Sequence, residues 1–346
     1  MARDIAADPR LDPRIKAILS MMPTISASDV NSREELLDDA RSEAQVQTMA
    51  MYAAAMDMCD VESIAPSAGL RIHTERVTSQ PDGNQINIQF IRPDTDETLA
   101  CVYYIHGGGM QSLSCFDGNY RAWGKILASY GVAVAMVDFR NALMPSSVPE
   151  VAPFPAGLND CVSGLKWVHA NAAALNIDTN RVIVAGESGG GNLTLAVGLQ
   201  LKLDGDLSLI TGLYALCPYI AGEWPLASNP SSTENNGILL DLHSNRGAMA
   251  YGIEAFNDRN PLAWPGMATD DDVRGLPPTV INVNECDPLR DEGIAFYRLL
   301  IANGVNARCR QMMGTMHGTE IFPIACPDIS HDTARDITAF ARGPQR

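Results

Sequence analysis

The sequence predicts an α/β fold, a mostly parallel central sheet with helices on both faces and a helical cap. Three observations point there. Short, almost uninterrupted apolar runs recur along the chain, helix-like or loop segments separate them, and one early pair of segments alternates in polarity instead. Continuous apolar strands interleaved with helices suit a parallel sheet, because the crossover helices bury both of its faces.

With 346 residues the chain is long for one minimal domain and short for two, which favours a single large domain carrying an insertion. Hydrophobic residues make up 46% and charged ones 19%, the balance of a folded globular chain rather than a disordered one. A formal charge of −16 argues against a nucleic acid or an anionic membrane as partner, because such binding draws on Lys and Arg to neutralise phosphates. The first residues, MARDIAADPRLDPRIKAILSMMP, interrupt every short apolar piece with a charge, so they lack the apolar core of a secretory signal. No stretch approaches membrane-spanning length. The eight cysteines (Cys59, Cys101, Cys115, Cys161, Cys217, Cys286, Cys309 and Cys326) show neither a CxxC pair nor zinc-site spacing. The expectation is a cytoplasmic protein with free, mostly buried thiols, no metal and no cofactor. A homodimer is left open.

In chain order, residues 1–65 read as a helical cap region. Within it SREELLDDARSEAQVQTMAMYAAAMDM has helical composition, with Ser32 as N-cap. Met49, Met51, Met56 and Met58 suggest an adaptable apolar pocket, although methionine at helical spacing more often means plain core. After Pro66, RIHTERVTS and NQINIQFIRP alternate around a turn at Pro81, Asp82 and Gly83, an antiparallel hairpin. The buried runs follow: ACVYYIHGGG, VAVAMVDFR, RVIVAGESGGG, LITGLYALCP, TVINVNEC and NARCRQMM. Residues 217–270 break this rhythm with Trp224, Pro225, Pro230, Tyr251, Phe256, Pro261 and Trp264 among polar residues, and read as an inserted cap. The core is then 66–216 together with 271–346.

Chemistry is concentrated in three of these runs. In RVIVAGESGGGNLTLAVGLQL a buried strand leads through GESGG, a GxSxG match, into an apolar helix, the context of a nucleophile on a sharp strand-to-helix turn. Side chains at positions 186 and 190 would collide with the flanking strand and helix, and glycine meets both demands. Negative charge developing beside Ser188 would sit at a helix N-terminus, where free amides favour it. By itself such a turn also suits tight packing or phosphate binding.

YYIHGGGM ends another apolar strand, and its glycines let backbone amides approach a substrate oxygen; Gly108 and Gly109 are the expected donors of an oxyanion hole, completed by the amide of Gly189. His106 precedes the loop and reads as structural. In TVINVNECDPLRDEG, Asp287 stands at the C-terminal end of a buried strand, where parallel sheets build their sites, and Asp followed by Pro also suits a helix N-cap. Asp291 and Glu292 fit the first turn of the next helix through its dipole. Of His73, His106, His169, His243, His317 and His331, only His317 lies in a loop after the last strand, which gives the chain order Ser, Asp, His.

HGGGM at 106–110, MVDFRNA at 136–142, GESGGGNL at 186–193, NECDPLRDEGIAF at 284–296 and the late HG at 317 together resemble the bacterial hormone-sensitive-lipase-like esterases. The resemblance runs from about residue 100 to the end. It implies an α/β-hydrolase core, a cap built from the N-terminal helices and the insertion, and hydrolysis of a small-molecule carboxylic ester without metal or organic cofactor. Ser188, Asp287 and His317 would be its triad, acting through an acyl-enzyme on small to medium apolar esters or lactones. Two positions depart from the family: Gly189 stands where Ala is usual, and Met110 where an aromatic residue often follows HGGG. The oxyanion amide survives the first change because it belongs to the backbone.

Other readings compete. A non-catalytic small-molecule receptor on the same fold usually shows a broken triad, whereas all three positions here are competent. A dinucleotide-binding loop would need GxGxxG in the first strand-turn-helix unit, and neither glycine run supplies it. Amide cleavage would use the same machinery.

Overall fold

The computed structural model describes residues 7–20 and 28–343. It centres on an eight-stranded sheet of β1 (Leu70–Thr78), β2 (Gln85–Pro93), β3 (Leu99–Ile105), β4 (Ala133–Asp138), β5 (Ile177–Glu187), β6 (Gly212–Leu216), β7 (Thr279–Asn284) and β8 (Ala307–Met312), in the spatial order β1-β2-β4-β3-β5-β6-β7-β8. β1 and β2 pair antiparallel, as their alternation requires, and β2 lies antiparallel to β4. Every remaining pair is parallel.

Eight α-helices of seven residues or more occur among the described residues: α1 (Pro13–Leu19), α2 (Arg33–Arg41), α3 (Glu43–Asp57), α4 (Gly118–Ser129), α5 (Ala156–Ala170), α6 (Gly189–Asp204), α7 (Arg290–Ala302) and α8 (Pro327–Arg342). β3 shows why its run is continuously apolar. Cys101, Tyr103 and Ile105 pack into one cluster with Leu158 and Leu165 of α5 and Leu193 and Val197 of α6. Ala100, Val102 and Tyr104 pack into another with Trp123 and Leu127 of α4 and Ile337 of α8. Both faces of the strand are therefore buried, and alternation disappears from the sequence.

The N-terminal region departs from expectation. The single expected helix is two, because Ser42 adopts extended backbone (φ −60°, ψ 145°) and its hydroxyl accepts the Gln45 amide at 3.2 Å, capping a new helix. Ser32 does cap the first, its hydroxyl accepting from the Glu35 amide at 3.3 Å. Ser-Glu-Ala-Gln at 42–45 is a second cap signature inside the run. Residues 21–27 of the expected helical preface lie outside the described residues. Nor are the methionines of α3 core: no residue of that helix is buried, and Met51 and Met58 are 67% and 59% exposed.

β3, β5 and β6 end at one level, Ile105 beside Gly186 and Gly186 beside Ala215. The triglycine loop, the serine turn and the start of the long connection to β7 consequently leave neighbouring strands side by side. α3 approaches the same edge. A Cβ at Gly118, the first residue of α4, would lie 2.5 Å from the Asp57 Cα and the Met56 carbonyl oxygen, so only glycine lets the two helices meet.

Candidate active site

Ser188 sits between β5 and α6 in the left-handed region, at φ 58° and ψ −119°. A non-glycine residue there is strained, and its surroundings hold it in place. Its amide donates to the Leu216 carbonyl at 2.9 Å, and its carbonyl accepts from the Asn192 and Tyr219 amides at 3.0 and 3.1 Å. The flanking glycines answer real crowding. A Cβ at Gly186 would come within 2.5 Å of the carbonyl oxygens of Ile105 and Gly190, and one at Gly190 within 2.6 Å of the His106 carbonyl oxygen. Ser188 is only half-buried, whereas Glu187, Gly189 and Gly190 are buried.

The triglycine loop is pressed against this turn. A Cβ at Gly189 would lie 2.8 Å from the Gly109 nitrogen and 2.6 Å from that of Met110, so the loop as it lies leaves no room for a side chain at this position. Gly108 and Gly109 take φ of 91° and 62°, conformations glycine adopts without strain. The Gly107 amide is already engaged, donating to the Tyr120 hydroxyl at 2.9 Å. Tyr120 in turn donates to Glu187 Oε1 at 2.5 Å, and Tyr104 donates to Oε2 at 2.7 Å. Burial pushes Glu187 up to about 7, against the pull of those hydroxyls. Sequence reasoning passed over this brace, although a charge closing the buried apolar run at 182–186 is its signal.

His317 follows β8, and its Nδ1 donates to Asp287 Oδ2 at 2.7 Å. The carboxylate can only accept, which puts the neutral ring's proton on Nδ1 and leaves the Nε2 lone pair free. Burial alone would disfavour the charged ring, but the Asp287 carboxylate outweighs it and holds the imidazole above its ordinary value. The other oxygen of Asp287, Oδ1, accepts the Leu289 amide at 2.9 Å. Asp287 thus closes a local turn, and the following helix begins only at Arg290. Behind this pair, buried Glu320 accepts from the side-chain amides of Asn282 at 2.6 Å and Asn284 at 3.1 Å, and Asn284 also donates to the Met316 carbonyl.

The remaining histidines lie apart from this pair. His106 is buried and stacked on Phe139 at 4.3 Å, with Nε2 3.5 Å from Asp138. His73 is in β1, His169 in α5, His243 in the long connection and His331 in α8. No disulfide joins the eight cysteines, and all but Cys309 are buried. Cys217 was not singled out among them, yet its sulfur, an Asp287 oxygen and a His317 nitrogen lie within 4.8 Å of one another. Burial pushes its thiol up to about 11.

Glu292 needs more than the helix dipole to explain it. It is buried in the first turn of α7 and accepts the amides of Ile220 at 2.7 Å and Ala221 at 3.1 Å and the Trp224 indole N–H at 2.7 Å. Asp291 accepts the Ser231 amide at 2.7 Å. No helix among the described residues is long and apolar enough to cross a membrane.

Residues 102–321 match the alpha/beta hydrolase fold family. Carboxylesterase NlhH of Mycobacterium tuberculosis is 34% identical over 256 residues, 72% of this chain and 76% of its own. Among solved structures, esterase Est22 is 67% identical, covers 99% of this chain and 100% of its own, and superimposes with a TM-score of 0.98; another of its structures is with p-nitrophenol. Brefeldin A esterase, a bacterial homologue of human hormone-sensitive lipase, is 34% identical over 97% of this chain and 94% of its own, with a TM-score of 0.86. The chain belongs to the α/β-hydrolase fold family, among the hormone-sensitive-lipase-like esterases, and is a carboxylesterase.

Proposed function

We propose that this carboxylesterase cleaves small to medium apolar esters or lactones through Ser188, His317 and Asp287 and a covalent acyl-enzyme. The supporting observation is the 2.7 Å contact from His317 Nδ1 to Asp287, which leaves Nε2 as the ring's basic nitrogen, together with Ser188 standing strained and half-buried at the end of β5. In this reading His317 takes the Ser188 proton as the oxygen attacks the ester carbonyl. The amides of Gly108, Gly109 and Gly189 receive the oxyanion, and the imidazolium returns its proton to the leaving alcohol. Water then repeats the sequence on the acyl-serine. The Glu187–Tyr120–Gly107 chain supports the oxyanion loop from beneath, so its amides need little reorganisation during reaction.

The cap would be the N-terminal helices together with the connection from β6 to β7. In α3 the half-buried residues Gln45, Met49, Tyr52 and Met56 recur at helical spacing, and Tyr52 lies close enough to Glu187 for burial beside it to raise the phenol. That face supplies two methionines to an apolar ceiling.

Replacing Ser188 with Ala should lower p-nitrophenyl ester turnover by at least about a thousandfold with binding retained, and abolish single labelling by a fluorophosphonate seen in intact mass. Turnover or labelling that survives would remove Ser188 as the nucleophile. The acidic limb of kcat/KM should report His317: activity rises as pH increases through a midpoint above 6.5, because only the neutral ring is a base.

A further inference from the structure

We infer that Cys217, His317 and Asp287 also form a binding site for a thiophilic divalent cation, Zn2+ or Cd2+, and that its occupancy arrests hydrolysis. Among the described residues these three make the one group whose ligating atoms, a sulfur, a nitrogen and an oxygen, lie within 4.8 Å of one another. Tetrahedral zinc with bonds of about 2.0–2.3 Å sets such atoms roughly 3.5 Å apart, so side-chain rotations of about 1 Å would complete the set. Thiolate, imidazole and carboxylate are all zinc ligands, and three of them leave a fourth position open.

The scaffold keeps the thiol pointed at this place. Cys217 is the first residue after β6 and holds a left-handed φ of 33°, which a non-glycine residue adopts only under constraint. Its amide donates to the Asn282 carbonyl at 2.7 Å, and its neighbours are bound to the serine turn, Leu216 accepting the Ser188 amide and Tyr219 donating to the Ser188 carbonyl. The three residues are 1%, 6% and 0% exposed, so a cation would meet little competing water once inside. On binding, the thiol gives its proton to solvent and a charged imidazole gives up its second proton as well, so that the cation meets a thiolate, a neutral ring and a carboxylate.

That occupancy arrests turnover rests on the proposed role of His317, since a ring held by metal is no longer positioned to take the serine proton. The site itself does not depend on that role. The full chain, freed of metal with chelator, should be titrated with Cd2+ while the ultraviolet thiolate-to-cadmium band and ester turnover are followed together.

One equivalent should raise the band and depress turnover at least about tenfold, with EDTA restoring activity. Cys217→Ser should lose one equivalent of the band and need at least about tenfold more Cd2+ for the same fractional inhibition, a loss no smaller than that seen for supporting residues of metal sites. Ser188→Ala should keep the band, even though it tests the catalytic reading separately. His317→Ala, at the more exposed edge, should weaken cadmium binding as well, which covers the case that the Cys217 variant does not fold. Unchanged stoichiometry and inhibition in Cys217→Ser, or unchanged affinity in His317→Ala, would overturn the site; a band without inhibition would leave the metal site and sink the role given to His317.

Discussion

The two stretches of chain beside the strand ends are held in opposite ways. The connection between β6 and β7 is an extension of the main core: Tyr219, Trp224, Tyr251 and Trp264 belong to the same buried cluster as β3, α5 and α6. Trp224 stacks on Tyr219 at 4.6 Å, and Trp264 meets Tyr219 and Tyr251 edge-on at 5.6 and 5.7 Å. Polar side chains pin its base. Asn192 donates to the carbonyls of Tyr219 at 2.9 Å and Ala263 at 3.0 Å, and Glu292 receives three N–H groups. Helix α3 has only a half-buried face, with no fully buried residue, and is fastened at its end: Arg121 contacts Asp57 at 3.0 Å and Asp60 at 2.6 Å, and Lys125 contacts Asp60 at 2.6 Å. The contrast teaches that only one part of the proposed cap folds with the sheet. The other, α3, is held by a half-buried face and by polar contacts at its end.

This comparison breaks first at Trp264. Its replacement by Ala should cost about 3–5 kcal/mol in denaturant unfolding, because it opens a cavity in the shared cluster. A loss below about 1 kcal/mol would mean that the insertion is not core. Glu292→Ala should come next, at roughly 2–4 kcal/mol, since it leaves two amides and an indole N–H buried without an acceptor.

The same carboxyl adds a pH signature. Burial raises it from 4.5 to about 8, so the folded state binds the proton more tightly than the unfolded chain. Its contribution is full below 4.5 and is lost as pH rises towards about 8. The deficit of the Glu292→Ala variant should accordingly be largest near the acid end and shrink with rising pH; a deficit growing with pH would reverse the assignment. Smallest of all, Met51→Lys on the exposed side of α3 should stay within about 0.5 kcal/mol of the parent. A larger effect would show that α3 is bound more deeply than its exposure indicates.

The strands were legible mainly as continuous apolar or alternating runs, which reflect burial in β2 to β7, whereas β8 has no fully buried residue and β1 only Val77. The serine turn and triglycine loop were legible for a related reason. Glycine at 186 and 190 is a local record of crowding by backbone, and that crowding is present. Three features were obscured. The break at Ser42 was hidden because both flanking segments share one helical composition. The burial of Glu292 was hidden because an acidic residue in a first helical turn has an adequate local explanation. The position of Cys217 against His317 was hidden because 100 residues of chain separate them and cysteine is a common core residue.

By itself the sequence determined the sheet, the strained turn at Ser188 and the order in which the three candidate side chains appear, since these rest on periodicity and on steric demands within a few residues. The tertiary structure decided what those residues touch: His317 on Asp287, Glu187 beneath the triglycine loop, Glu292 under the insertion and Cys217 beside the imidazole. Such contacts join strands whose ends meet only after the sheet has assembled. Their energies depend on burial and hydrogen-bond distance, which no local pattern encodes.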